Sequence, residues 1–138
     1  MKITFIINSC LLISLCSGLS LMAQQKKKTA AVLEFNSSDV SKKDLVILTN
    51  RFRSILVKTD VFDVVERERM NDILKEQNFT ISDNCSSSEC AAQIGKLLGV
   101  EQMVAGDVGK IASTYSVDLR LIDVMTGKII QAETKDYK

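Results

Sequence analysis

The hydrophobic positions of the chain change period several times, and each change marks an element. Ile3 to Leu15 is an apolar run interrupted only by small polar residues. Thr29 to Phe35, TAAVLEF, is a short apolar run suited to a central strand. Ser41 then stands three residues before Asp44, the spacing of a helix start. Leu45, Leu48, Phe52, Ile55 and Leu56 follow on one helical face. The opposite face carries Lys42, Lys43, Asn50, Arg53 and Lys58, which reads as a solvated basic face. Val61 to Val65, VFDVV, is β-branched and aromatic, as strands are. Glu66-Arg67-Glu68-Arg69 opens a second helix with Met70, Ile73 and Leu74 inward, and Asn78 to Asn84 is a polar loop pinned by Phe79 and Ile81.

The stretch from Asn84 to Ile111 organises the rest. Ser86 precedes Glu89 by three residues, which predicts an N-cap at Ser86. Cys85 then falls at N′ and Cys90 at N4, positions that normally touch as a hydrophobic staple. Two thiols placed there come close enough to bond. Cys90, Ala91, Ile94, Leu97 and Leu98 form a core-facing stripe, and Gly99 closes the helix. Val100 to Val108 reads as a buried strand. Tyr115, Val117, Leu119 and Leu121 alternate with polar residues, giving a strand with one wet face. Turns at Ala112-Ser113-Thr114 and Met125-Thr126-Gly127-Lys128 separate three strands, the last starting at Ile129.

This order predicts an α/β (α+β) fold, a mixed sheet of about five strands with helices packed on it. The first strands pair in parallel through helical connections, and the chain ends in an antiparallel meander.

Composition adds the compartment. The 138 residues are 46% hydrophobic and 25% charged, which fits one domain behind a leader. Residues 1–23 carry only Lys2 as a charge, and Ala23 is an acceptable cleavage point, so they read as a secretory signal peptide. An uncleaved membrane anchor is the alternative. Leu15 is too large to precede a lipid-modified Cys16, and Cys10 lies too early in the apolar run. Residues 24–28 read as a polar tether and 29–138 as the domain. Without Lys2 the balance is 17 basic to 17 acidic residues, so nothing favours nucleic acid. Cys85 and Cys90 remain as an even pair in an exported chain, where a disulfide is expected over two free thiols.

Catalytic chemistry is sparse. The chain contains no His, which excludes a histidine triad and a His-ligated zinc. Two cysteines alone cannot hold a structural zinc. Gly106-Asp107-Val108-Gly109-Lys110-Ile111 approximates a phosphate loop, yet lacks both the spacing between glycines and the Ser or Thr after Lys. Its glycines read as a bulge or a close backbone approach. Glu66 and Glu68 point apart at a helix start and complement the dipole there. No catalytic, cofactor or metal residue can be assigned, no small-molecule substrate is evident, and the chain reads as a non-enzyme. The candidate contact surface is the final strand, where Ile129, Ile130, Gln131, Ala132, Glu133 and Thr134 would have one unpaired side.

Four segments carry a family resemblance: AAVLEF, FDVVERERMNDILKEQ, CSSSECAAQIGKLLGVEQMVAGDVGKI and YSVDLRLIDVMTGKII. Together they resemble the CsgG family, whose namesake is the curli production and secretion component of the outer membrane. The likeness covers most of Thr29 to Ile130. It implies a periplasmic α/β domain similar to the TolB N-terminal domain and to LpoB, an activator of a peptidoglycan synthase. It also implies binding and assembly rather than catalysis. Two family features are unmatched here: the lipid box, and the long amphipathic hairpins of a membrane barrel. The expectation is a periplasmic component of outer-membrane secretion or envelope assembly, partnered by envelope proteins or by its own copies, with outer-membrane association a further expectation. The second reading is a regulatory module docking on an envelope enzyme or complex.

Overall fold

The sequence signals at Ser41 and Gly99 each mark a helix terminus. In this computed structural model, which describes residues 26–80, 85 and 87–138, β1 (Lys28–Val32) leads to α1 (Lys42–Thr59), whose N-cap Ser41 accepts from the Asp44 amide at 3.2 Å. β2 (Phe62–Val64), α2 (Arg67–Glu76) and α3 (Ser88–Leu98) follow. Gly99 ends α3 in the left-handed conformation at φ 67°, which a side chain would resist. β3 (Gln102–Ile111), β4 (Thr114–Asp123) and β5 (Ile129–Tyr137) complete the chain. The sheet order is β2-β1-β3-β4-β5. β1 pairs in parallel with β2 and β3, and the last three strands pair antiparallel. The predicted mixed five-strand sheet and terminal meander are therefore present.

The alternation of side chains sends successive residues to opposite faces. Ala31, Leu33, Met103, Ala105 and Ile122 pack with α2 and α3 residues, including Met70, Leu74 and Ile94. Val32, Val104 and Val108 pack on the other face with Leu45, Phe52 and Leu56 of α1. α3 lies close to the sheet because Gly95 has no side chain: a Cβ there would stand 2.4 Å from Val124 Cγ2 and 2.8 Å from Met103 Cγ. Gly106 gives the same room on the α1 side, where a Cβ would meet the Phe35 ring at 2.6 Å. The close-approach reading thus holds at Gly106. At Gly109 nothing among the described residues lies within 4 Å of that position, so close approach does not explain it.

Several boundaries differ from the sequence reading. The Thr29–Phe35 run starts one residue earlier, since Lys28 already pairs with Phe62. Past Val32 it still tracks β3, through Leu33 N to Val104 O and Asn36 N to Gly106 O, both at 2.9 Å. On α1, Leu48 and Ile55 are 36% and 54% exposed, whereas Thr49 is buried. One helix about 10 Å across covers about two strands spaced about 4.8 Å apart, so a flank of α1 stays open. Arg53 is half-buried rather than on a solvated face. The α3 N-cap is Ser87, whose hydroxyl accepts from the Cys90 amide at 3.1 Å. Cys85 and Cys90 therefore occupy N″ and N3, not N′ and N4. Ser86, Ile81, the leader 1–23 with Cys10 and Cys16, and Gln24 lie outside the described residues. Among the described residues, no helix is long and apolar enough to cross a membrane.

Candidate functional site

β5 is the outermost strand on its side of the sheet, so its outer backbone groups face no strand among the described residues. Ile129 pairs with Ile122, Gln131 with Leu121, Ala132 with Arg120, Glu133 with Leu119 and Thr134 with Asp118. A register shift between Leu121 and Ile122 leaves Ile130 as an extra residue. Every residue of β5 is exposed. The six residues named from sequence are thus brought together on one free edge. Two ties anchor its inner neighbours: Arg120 pairs with Asp107, and Thr134 donates to Asp118. Glu133, Lys135 and Asp136 mix both charges along the strand, with Lys128 just before it, the pattern that discourages casual edge pairing.

A second feature arises from topology. β1 leads into α1 on one face, while its parallel neighbour β2 leads into α2 on the other. Connections departing to opposite faces open a crevice beyond the carboxyl ends of the two strands, the usual ligand position in open α/β sheets. A cavity of about 390 Å³ lies there. Leu33, Phe35, Leu45 and Met70 supply an apolar floor, and Arg53, Arg67, Glu34 and Lys42 reach it as charged groups. Arg67 bonds Glu34 at 2.9 Å. Arg53 donates to the Val32 carbonyl at 3.0 Å and to Asn50 Oδ1 at 2.8 Å, and its buried Nε has no partner among the described residues. Burial first, and the like charge of Arg67 second, pull the Arg53 guanidinium below its usual pKa, against the opposing pull of Glu68 and Glu34. None of these residues was singled out as a site from sequence, because they come from three separate segments. The β1-α1-β2-α2 order was the available signal.

Cys85 and Cys90 form a disulfide, with Cα atoms 5.6 Å apart. It joins the segment before α3 to that helix's first turn, and buried Cys85 forms part of the crevice wall. Among the described residues, no group of three or more His, Cys, Asp or Glu could hold a metal ion.

Helices on both faces of a mixed sheet whose outermost strands are β2 and β5, with a crevice at the end of β1, define a small α+β domain. Residues 17–115 match the model described as curli production assembly/transport component CsgG. That is more than half of the sequence, and the chain belongs to the CsgG family. The match stops at Tyr115, so LIDVMTGKII follows the matched residues. No curated protein matches the chain. Among solved structures, the LpoB C-terminal domain from Escherichia coli superposes with a TM-score of 0.67 at 15% identity, covering 80% of this chain and 82% of that one. The corresponding domain from Salmonella enterica gives 0.64 at 14% identity, covering 86% and 89%. A lipoprotein from Neisseria meningitidis gives 0.65 at 15% identity, covering 80% of each. At these identities the likeness establishes the fold.

Proposed function

We propose that this chain is an exported, non-enzymatic binding and assembly protein of the bacterial envelope. It acts in the periplasm, in outer-membrane secretion or envelope assembly, through protein contacts made at the β5 edge. The observation that carries this reading is the unpaired outer side of β5, from Ile129 to Thr134, at the end of a five-stranded sheet. Membership in a family described as an assembly and transport component supports the role. The leader pattern over residues 1–23 supports export, with 24–28 as tether and the domain following. The partner supplies a strand, and main-chain hydrogen bonds provide affinity while side chains of alternate residues provide selectivity.

The experiment is cross-linking in intact cells from photoreactive residues placed at Gln131 and Glu133, followed by identification of the attached protein. The expected product is an envelope protein or a second copy of this chain. Cross-links confined to cytoplasmic proteins would refute the reading. The LpoB-like fold favours one specific alternative, a regulatory module docking on an envelope enzyme. Recovery of an envelope enzyme instead of pore or fibre subunits selects that alternative.

A further inference from the structure

We infer that the crevice beyond the carboxyl ends of β1 and β2 is a binding site for a small monocarboxylate with a short apolar tail. Position, size and charge converge on this class. The crevice lies at the switch point where β1 and β2 send their connections to opposite faces. Its volume of about 390 Å³ is that of a small-molecule site. Leu33, Phe35, Leu45 and Met70 line it with only 3–5% of each exposed, a narrow apolar strip that matches a short tail. Charge then selects the head group. Arg67 and Glu34 satisfy each other at 2.9 Å. Arg53, by contrast, spends its bonds on two neutral oxygens, the Val32 carbonyl and Asn50 Oδ1. Nη1 and Nη2 carry two hydrogens each and spend one each on these oxygens, so one on each remains for a ligand, while Nε is buried. A carboxylate matches the guanidinium fork in shape and charge. Arg53, Arg67 and Lys42 line the crevice against Glu34, so an anionic head group is favoured there and would relieve the repulsion that Arg67 exerts on Arg53.

The test is an amide NMR titration of the full chain, with its disulfide intact, using sodium butyrate. Butyramide serves as the uncharged analogue, and sodium phosphate as an anion without a tail. Butyrate should move the amide signals of Leu33 to Ser37, Arg53 and Met70, with a dissociation constant of about 1 mM. Butyramide and phosphate should bind at least about tenfold more weakly. Arg53→Gln should weaken butyrate by a similar factor. Because Arg53 also holds the Val32 carbonyl, Glu34→Gln provides a variant that needs no loss of function: removing the opposing charge should tighten butyrate by about threefold. Absence of crevice shifts in the wild-type chain overturns the proposal. So does equal binding of butyrate and butyramide, equal binding of phosphate, or an unchanged or weaker affinity in a folded Glu34→Gln variant.

Discussion

The Thr49 hydroxyl accepts a hydrogen bond from the Phe35 amide at 3.0 Å and donates one to the Leu45 carbonyl at 2.8 Å. This buried bond fastens α1 to the segment that follows β1, so it sets the spacing of the crevice wall. Thr49→Val keeps the shape and leaves the Phe35 N–H buried without an acceptor. The expected loss is about 1–3 kcal/mol, read as a lower urea midpoint. Thr49→Ser keeps the hydroxyl and should recover much of that loss. Equal midpoints for Val and Ser would show that the bond contributes nothing.

Phe35 also determines what Gly106 can become. A Cβ at Gly106 would lie 2.6 Å from Phe35 Cδ1 and 3.0 Å from Leu119 Cδ2. Gly106→Ala therefore forces a ring to move within a packed layer, at an expected cost of about 1–3 kcal/mol. In the Phe35→Leu background the obstruction is smaller, and the same substitution should cost less. A double-mutant cycle from urea unfolding measures the difference. Strict additivity would place the strain elsewhere.

The Cys85–Cys90 bridge closes a loop with a sequence separation of only 5. On the chain-entropy model such a bridge stabilises by about 2 kcal/mol. Replacing both cysteines with Ala should lower stability by about that amount and loosen the first turn of α3. Hydrogen exchange at the Ala91 and Ala92 amides checks the local part. Mass spectrometry showing two free thiols in protein isolated from its native compartment would remove the basis for the prediction.

Legibility in the sequence followed how local each determinant was. Ser41, Gly99 and the apolar runs announced their elements because caps and periodicity act within a few residues. Thr49 could not be placed inward by hydropathy, since its burial depends on the Phe35 amide, 14 residues away in sequence. Leu48 and Ile55 matched the helical stripe yet face outward, because the width of the sheet relative to one helix is a tertiary quantity. Ser86 and Ser87 are both competent caps, and a one-residue choice between them lies below what spacing can decide. The β5 edge was legible from strand order alone. The crevice was not, since its charged residues meet only once β1 and β2 lie side by side.

The second hairpin carries a pH signature. Asp123 accepts from the Thr126 hydroxyl at 2.7 Å and from the Thr126 amide at 2.8 Å. The hydroxyl bond, then the amide bond, holds the Asp123 carboxyl below its usual range. A depressed folded pKa gives stability that is complete above the unfolded value of about 3.9 and is lost as pH falls through the folded value. In Thr126→Val the Asp123 titration midpoint, followed by carboxyl-carbon NMR, should rise part of the way toward that reference, because the amide bond survives. An unchanged midpoint would mean that the hydroxyl does not set it.

The β5 edge makes the sharpest functional prediction. In an antiparallel pair, neighbouring residues alternate between pointing both backbone groups at the partner strand and pointing both away. Of Gln131 and Ala132, one amide therefore faces β4 and the other faces outward. Proline removes that donor in each case. The two substitutions should separate cleanly: the inward one lowers the unfolding midpoint, and the outward one leaves it near wild type. Under the strand-addition reading, the outward variant should nevertheless lose its cross-linked partner in cells. Glu133→Ala changes a side chain on the same strand and leaves the backbone donors intact, so it should retain the partner while altering its selectivity. If the well-folded proline variant still recovers every wild-type partner with unchanged yield, β5 is not the contact. The surface to examine would then be the open flank of α1, where Leu48 and Ile55 stand exposed.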